Sequence, residues 1–390
     1  MPSPLDQAKA IESELIELRR DFHRHPEIAF EEVRTGGIVG DQCEKLGLNV
    51  RRGCAKTGVV ATLNADKPGP AIALRADMDA LPIREENEVS YKSTYDGKGH
   101  LCGHDAHTTM LLGAAKILTK YKDKIPFPVR FLFQPAEEVP RGGAEKLIEE
   151  GHLEGVNEVF GLHVNPLLPT GTLGTHVGPT MAAMDQVEID VEGVGGHGAM
   201  PNQCLDPVLC SAEIIMGLQS IVSRRSDPLE PAVLSICQIN AGHAFNVIPN
   251  KVRMIGTARS LSKSLRDKLP GWIEEIACGV AKAHGQKAKT VYIKGTTVLI
   301  NTKDETAKIG QAFEKLGGKA QDIKPTMGGE DFSYYLEKAP GSFAFLGAGD
   351  GTPSTSQCFH HPRYNIDEKA LAWGSAVFVQ LVCDRAGIQP

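Results

Sequence analysis

The sequence predicts an α/β protein whose mostly parallel sheet is covered by helices on both faces and which carries an inserted α+β domain. Two observations predict this fold class. Short apolar runs alternate with helical stretches at both ends of the chain, as in parallel sheets with crossover helices. The middle of the chain instead follows the order β-α-β-β-α-β, which is the ferredoxin-like arrangement.

The first and last parts of the chain supply the elements of the α/β domain. An amphipathic helix is predicted over residues 5–24, where the apolar side chains follow a helical period. Five apolar runs predict strands, and they lie at 58–63, 71–76, 129–134, 158–164 and 342–346. Two further helices are predicted at 105–120 and 143–150.

The inserted segment contains four predicted strands and two predicted helices. The strands lie at 186–191, 232–239, 251–258 and 288–293. The helices lie at 206–222, where Pro207 suits the first turn, and at 261–283. We therefore expect a discontinuous domain formed by residues 1–182 and 297–390, interrupted by a domain at 183–296.

Composition and charge exclude several classes of protein. The 390 residues include 42 basic and 48 acidic residues, with no basic stripe, so no nucleic-acid partner is expected. No apolar run reaches about 18 residues, so no membrane span is expected. The opening residues lack the apolar core of a signal peptide, and nine dispersed cysteines suggest reduced thiols. These features predict a cytoplasmic protein.

Ionisable side chains follow several of the predicted strands. In an open α/β sheet, ligands bind beyond the carboxyl ends of the strands. The side chains that follow strands are Asp77, Asp79, Glu137, Glu138, His163, His360 and His361. Cys102, His104 and His107 come just before a predicted helix. Each residue alone also suits a structural role, but together they favour a metal site of the zinc, manganese, cobalt or nickel type.

Two adjacent glutamates, Glu137 and Glu138, directly follow an apolar strand and a proline. Like charges at a sheet end are costly unless a cation is near. One glutamate can bind a metal while its neighbour acts as general base toward water.

Two glycine-rich segments are further candidates for function. His197 lies among four glycines in residues 193–198, which lets the backbone approach a ligand closely; a flexible hairpin tip explains the segment equally well. Asn246 and Arg259 are weaker candidates. The second segment, residues 327–331, carries carboxylates and also fits the acidic first turn of a helix.

These segments, in this order, resemble one family. They are residues 74–82, 102–107, 133–138, 161–164, 196–201, 328–332 and 360–363. The sequence resembles the aminoacylase, hippurate hydrolase and indoleacetyl-amino-acid hydrolase group, the amidohydrolase branch of the dinuclear metallopeptidase family M20. The resemblance extends from about residue 12 to residue 380.

The resemblance implies a role for each matching residue. It implies two divalent metal ions per subunit (Zn, Mn, Co or Ni), held by Cys102, His104, Glu138, His163 and His361, with Cys102 bridging them. Glu137 matches the catalytic base, while Asp77 and Asp79 are expected to support the ligands. In the inserted lid or dimerisation domain, His197 matches an oxyanion-stabilising residue, often acting across a dimer interface, and Asn246 and Arg259 match substrate-contacting positions. A homodimer or higher homo-oligomer is therefore expected.

The expected function is metal-dependent hydrolysis of the amide bond of a small N-acyl-amino acid, giving a carboxylic acid and an amino acid. A dipeptidase or carboxypeptidase needs the same metal centre, although the Cys102 and His104 pair favours the amidohydrolase branch. A non-catalytic module that binds metal or acyl conjugates is a further alternative, against which the retained Glu137 argues. Esterase or phosphatase chemistry is disfavoured because no phosphate-binding loop is evident.

Overall fold

The computed structural model describes residues 2–389, which form two compact units. The large unit comprises the described residues through Gly178, Ile300–Lys324, and the described residues from Asp331 onward. The small unit comprises Pro179–Leu299 and Pro325–Glu330. The chain therefore leaves the large unit, forms most of the small unit, and returns.

The described first part of the chain contains five α-helices and seven strands. The helices are α1 (Pro4–Lys9), α2 (Glu12–Arg24), α3 (Val33–Lys45), α4 (His104–Leu118) and α5 (Gly143–Glu149). The strands are β1 (Asn49–Cys54), β2 (Gly58–Leu63), β3 (Ala71–Asp77), β4 (Val129–Gln134), β5 (Val156–Pro169), β6 (Thr172–Thr175) and β7 (Gly178–Met181).

The middle and last parts supply the remaining elements. The middle strands are β8 (Ala183–Glu192), β9 (Gly196–His197), β10 (Ala232–Ala241), β11 (Val247–Ile248), β12 (Lys251–Ser260) and β13 (Lys287–Lys294). The middle helices are α6 (Pro207–Ser220) and α7 (Lys263–Ala283). The last elements are β14 (Leu299–Asn301), α8 (Lys303–Lys315), β15 (Lys319–Asp322), α9 (Ser333–Leu336), β16 (Gly341–Gly349) and α10 (Ala370–Ala386).

An eight-stranded sheet with the order β1-β2-β4-β3-β5-β16-β6-β15 organises the large unit. Its central strands β4, β3, β5 and β16 run parallel to one another, whereas β1, β2 and β6 make antiparallel pairs. Every residue of β3 and β16 is buried. Because successive side chains of a strand point to opposite faces, both faces of the central sheet are covered. The predicted fold class is confirmed.

The amino-terminal helix differs from its prediction. The sequence predicts one helix over residues 5–24, but the structure has α1 and α2, separated at Ala10 and Ile11. Ile11 has φ −113° and ψ 12°, which interrupts the helical backbone. The break allows α1 to bury Leu5 and Ala8 while α2 buries Leu15 and Phe22 in the same hydrophobic core.

The small unit has the predicted ferredoxin-like arrangement. Its four-stranded antiparallel sheet has the order β10-β12-β8-β13, and α6 and α7 pack against it. Along β8 every second residue is buried, so one face of this sheet meets the helices. A separate pair, β9 and β11, carries His197 opposite Val247. Among the described residues, no helix is both long and apolar enough to cross a membrane.

Candidate metal centre

The carboxyl ends of the central parallel strands bring several of the predicted site residues to one edge of the sheet. β3 ends at Asp77, just before Asp79, and β4 ends shortly before Glu137 and Glu138. β5 lies beside β3 and carries His163. Parallel neighbouring strands end at the same edge, which is where α/β proteins bind ligands.

Cys102, His104 and His163 form the buried core of the site. One ligand atom from each lies within 4.8 Å of the others, and Sγ of Cys102 is 3.4 Å from Nε2 of His163. Nδ1 of His163 donates to the backbone oxygen of Val164 at 2.9 Å. This hydrogen bond assigns the proton to Nδ1 and leaves the lone pair of Nε2 directed toward Cys102.

Glu138 joins this core to a histidine from the last part of the chain. Its Oε1 atom is 3.1 Å from Nε2 of His360 and 3.9 Å from Nε2 of His104. The same oxygen is buried and has no hydrogen bond of normal geometry within residues 2–389. Cys102, Glu138 and His360 form one group of close donors, and His104, Glu137 and Glu138 form another.

Burial and neighbouring carboxylates shift the pKa values of Cys102 and His104. Burial, together with Glu138, Glu137 and Asp77, raises the pKa of the Cys102 thiol well above its usual range. Burial alone would lower the pKa of His104, but Asp77 and Asp79 outweigh it and raise that pKa to about 10. The carboxylates of Asp77, Asp79 and Glu138 surround the His104 ring and favour positive charge there. A cation-binding site requires such an excess of negative charge.

Asp79 orients both His104 and Glu138. Its Oδ1 atom is 3.1 Å from Nδ1 of His104, and its Oδ2 atom accepts the backbone N–H of Glu138 at 3.0 Å. A carboxylate that holds the second ring nitrogen of a histidine is the usual support of a metal-binding imidazole. Asp79 is therefore positioned to hold both His104 and Glu138 in place.

Asp77 supports the site through a different histidine. Its Oδ1 atom accepts from Nδ1 of His107 at 2.6 Å, and Nε2 of His107 accepts the backbone N–H of Val164 at 2.9 Å. Burial lowers the pKa of His107 despite the nearby Asp77, so its ring is neutral with both nitrogens used. His107 therefore fixes Asp77 against β5 and offers no lone pair to a metal.

A buried polar network connects Asp77 to the surroundings of Glu137. The Arg75 guanidinium is 2.5 Å from Asp77 and 2.9 Å from Asp331, and it donates to the Gln134 side chain at 2.8 Å. The backbone N–H of Asp331 lies 3.4 Å from Oε1 of Glu137. The same arginine therefore anchors the residues behind the candidate ligands and those behind the candidate base.

The structure places His360, the neighbour of the predicted ligand His361, beside Glu138. Nδ1 of His361 accepts the backbone N–H of Arg363 at 3.0 Å, whereas His360 approaches Glu138. His360 has a left-handed backbone with φ 65°, and its N–H donates to the backbone oxygen of Leu101 at 2.8 Å. This turn sets His360 beside the Cys102 loop, so His360 replaces His361 in the proposed ligand set.

The three candidate residues of the small unit fall into two groups. Gly198 donates its N–H to the backbone oxygen of Asn246 at 2.8 Å, so Asn246 lies against the His197 loop. Nδ1 of His197 accepts the N–H of Ala199 at 3.1 Å. Arg259 lies on β12, where its side chain is half-buried and donates to Thr257 and Ala258.

The donors in the large unit fit a borderline or soft divalent metal. They combine one thiol, three imidazoles and one carboxylate, with Glu137 beside them, and such mixtures suit Zn²⁺ and related ions better than Mg²⁺ or Ca²⁺. The buried Oε1 atom of Glu138, which lacks a hydrogen bond of normal geometry, is directly explained by a bound cation.

Sequence reasoning missed Arg75 and Gln134, and it gave neither a ligand role to His360 nor a supporting role to Asp331. His360 was visible next to His361, but a histidine pair in a loop has no periodicity from which the inward-facing member could be chosen. Arg75, Gln134 and Asp331 are joined only in the fold. The available signal was the presence of Arg75 and Gln134 in strands that are otherwise apolar.

The sequence and the structure are similar to those of known proteins. The model of "Peptidase family M20/M25/M40" matches residues 73–384. The N-acetylcysteine deacetylase of Bacillus subtilis is 40% identical over 374 residues, covering 96% of this chain and 97% of that protein. Thermostable carboxypeptidase 2 of Saccharolobus solfataricus is 37% identical, covering 95% of each chain.

One solved structure is similar to this chain along nearly its whole length. The Bacillus subtilis YXEP protein, described as a dinuclear metal binding peptidase from the M20 family, superposes with a TM-score of 0.85 at 36% identity. The match covers 98% of this chain and 100% of that one.

Proposed function

The chain belongs to peptidase family M20/M25/M40, a hydrolytic family, and from this premise we propose that it hydrolyses the amide bond of N-acyl-amino acids. The products are a carboxylic acid and a free amino acid. One observation carries the proposal. Glu137 lies within a group of close donors with His104 and Glu138, at the edge where Cys102, His163 and His360 also meet.

The proposed ligands are Cys102, His104, Glu138, His163 and His360, and they would hold two divalent metal ions. When bound, the metal ions polarise the substrate carbonyl and lower the pKa of water. Asp79 holds the proposed ligand His104, and the pair of Asp77 and His107 joins the end of β3 to β5. The known dinuclear structure of a relative supports a two-metal site.

Glu137 is proposed as the general base and then the general acid. Its carboxylate accepts a proton from the attacking water and returns it to the nitrogen of the departing amine. The backbone N–H of Asp331 beside Oε1 helps to orient this carboxylate. Because Arg75 and Gln134 fix Asp331, the orientation of the base depends on a rigid buried network.

For His197, the resemblance suggests stabilisation of the oxyanion. Since Nδ1 of His197 accepts the N–H of Ala199, the neutral ring carries its proton on Nε2. Nε2 can therefore donate a hydrogen bond to a developing negative oxygen. Asn246 and Arg259 are proposed as contacts for the amino-acid part of the substrate.

A release assay tests the proposal. Purified protein is incubated with Mn²⁺, Zn²⁺ or Co²⁺ and a panel of N-acyl-amino acids and dipeptides, and the free amino acid is quantified. We expect release from N-acyl substrates that is lost after chelation and lost in Glu137→Gln. Absence of release from every substrate, in protein shown to hold metal, would favour the non-catalytic binding module.

A carboxypeptidase is the second candidate, and a specific similarity favours it. Thermostable carboxypeptidase 2 of Saccharolobus solfataricus matches this chain along nearly its whole length. The same metal centre suits both reactions, since each cleaves an amide next to an amino acid. Release from peptides alone, with N-acyl-amino acids left intact, would assign the protein to this second class.

A further inference from the structure

A groove at the end of the large sheet opposite the candidate metal centre contains two arginine side chains. The groove has a volume of about 290 Å³, near the lower end of the range for small-molecule pockets, roughly 300–1,000 Å³. Strand residues and a loop line the groove. Its polar lining residues include Asn49, Arg51, Thr62, Arg130, His152 and Glu154.

Strand register brings the two guanidinium groups to the same face of the sheet. Arg51 pairs with Val60, and Arg130 pairs with Thr62 two residues further along β2. Residues that pair across strands share a face, as do residues two apart on one strand. Arg51 and Arg130 therefore project together over β2.

Neither guanidinium group has an ion-pair partner among the residues that the structure describes. No carboxylate oxygen lies within 4.0 Å of a nitrogen of Arg51 or Arg130 in residues 2–389, although the Glu154 side chain lines the groove. By contrast, Arg52, which adjoins Arg51 in sequence, is paired with Asp41 and Glu44. Positive charge in this groove is thus only partly compensated.

The position of Arg130 is fixed by the loop that covers it. Its Nη1 atom donates to the backbone oxygens of His152 at 2.6 Å and Glu154 at 3.0 Å. Nε and Nη2 have no such hydrogen bond in the described chain. Burial and the nearby Arg51 together lower the pKa of Arg130, the opposite of what a paired arginine shows.

We propose that this groove binds a small anion with two adjacent charged oxygens, such as a phosphate group or a dicarboxylate. The edge of an arginine guanidinium group matches paired anionic oxygens in charge and geometry, and this groove has two such groups. The side chains of Thr62 and Asn49 add neutral hydrogen-bond donors. An anion here would relieve the repulsion between the two arginines.

The site is separate from the candidate metal centre. Arg130 is the second residue of β4, and the metal-site residues follow the other end of that strand. Thr62, close to the end of antiparallel β2, lies beside Arg130. The strand of six residues spans about 17–20 Å, so a ligand in the groove does not contact Glu137.

A cation is a weaker occupant for this region. Cys54, Glu150 and His152 do place three potential ligand atoms within 4.8 Å of one another. Both oxygens of Glu150, however, already accept the N–H of Ala55, and one also meets Nε2 of His152. The two nearby arginines oppose a metal ion and attract an anion.

Calorimetric titration tests the proposal on the metal-loaded protein at constant ionic strength. Inorganic phosphate and malonate serve as separate probes, which distinguishes phosphate from dicarboxylate recognition. We expect at least a tenfold weaker Kd for Arg51→Gln and for Arg130→Gln. Arg224→Gln is the matched control, because Arg224 is exposed in the small unit and its side chain donates to the backbone of Ser223.

The titration is repeated after chelation, which removes any binding of the probe to the metal centre. Binding of the probe in the groove should persist, because it does not depend on metal. Equal affinity of both probes for wild type, Arg51→Gln and Arg130→Gln would overturn the proposal. So would an equal loss in Arg224→Gln, which would indicate a general effect of net charge. Arg51→Gln keeps the test valid if Arg130→Gln unfolds, because Arg51 is exposed.

Discussion

The imidazole of His107 is held against Asp77, with Nδ1 2.6 Å from Oδ1. Its other nitrogen accepts the N–H of Val164, so the ring joins the end of β3 to β5. Of the two histidines that follow Cys102, only His104 therefore retains a nitrogen for a metal. The short segment from Cys102 to His107 thus contains both proposed ligands and a residue that supports the site.

Replacing Glu137 should separate catalysis from metal binding. Glu137→Gln removes the proton acceptor but keeps the shape of the side chain, so we expect kcat to fall about 10²–10⁴-fold. Metal content, measured by elemental analysis, should remain at the wild-type level. The matched variant Glu138→Gln should lose metal. Near-normal kcat in Glu137→Gln would show that another group is the base.

The two adjacent histidines near residue 360 should behave differently. His360→Ala removes a proposed ligand, so we expect about one metal ion fewer per chain and loss of activity. His361→Ala removes only an acceptor for the N–H of Arg363 and should retain the metal. The comparison uses metal-to-protein ratios after gel filtration. Metal loss in His361→Ala alone would restore the assignment made from the sequence.

Asp79 should control metal affinity through His104. Asp79→Asn weakens the hold on Nδ1 of His104 and on the N–H of Glu138, so we expect about 10–100-fold weaker metal binding. Competition with a chelator measures the change. Asp66→Asn, in an exposed loop, is the control. Equal affinities in both variants would mean that Asp79 has no orienting role.

Glu32 should make stability depend on pH. Burial raises the pKa of Glu32 to about 7 from 4.5, while its carboxylate bonds to Thr57 and to the N–H of Ala136. A raised folded-state pKa favours the protonated form, so its stabilisation is complete below pH 4.5 and is lost as pH rises through about 7. The loss is at most about 3–4 kcal/mol.

Urea unfolding of the wild type and of Glu32→Gln across this range measures the effect. The glutamine side chain of the variant does not titrate, so the difference in unfolding free energy between the two proteins should shift in favour of the variant as pH rises. Parallel stability curves at every pH would contradict the expected ionisation of Glu32.

Subunit mixing tests whether His197 acts across a dimer interface. His197→Ala and Glu137→Ala should each be inactive alone. If a homodimer forms and His197 serves the partner's site, mixed dimers should regain up to about a quarter to a half of wild-type activity. Mass spectrometry confirms that mixed dimers have formed. No recovery in such dimers would place His197 in the site of its own chain.

The sequence predicts most of the helices and strands because the spacing of apolar residues depends on the local backbone conformation. Apolar strands such as β4 have the predicted bounds, and the α6 and α7 helices are found near theirs. The break at Ile11 was not predicted, since the apolar period continues through it. It arises from packing, which allows two short helices to reach one core.

Part of the candidate site can likewise be predicted from the sequence, and part cannot. The residue types of Cys102, His104 and Glu138 indicate metal chemistry, and the parallel strands bring them together. The choice between His360 and His361 depends on one left-handed residue and its hydrogen bond to Leu101. Such a turn leaves no periodic trace in the sequence, so only the three-dimensional fold distinguishes the two.

The order of the ligands along the chain has a consequence for biosynthesis. Cys102 and His104 are synthesised early, but His360 is added only after the small unit and most of the large one. A growing polypeptide on the ribosome can therefore assemble a partial thiol and imidazole site long before the complete one. With the proposed ligand set, full metal loading follows the synthesis of His360, so a nascent chain that stops before residue 360 lacks one ligand of the site.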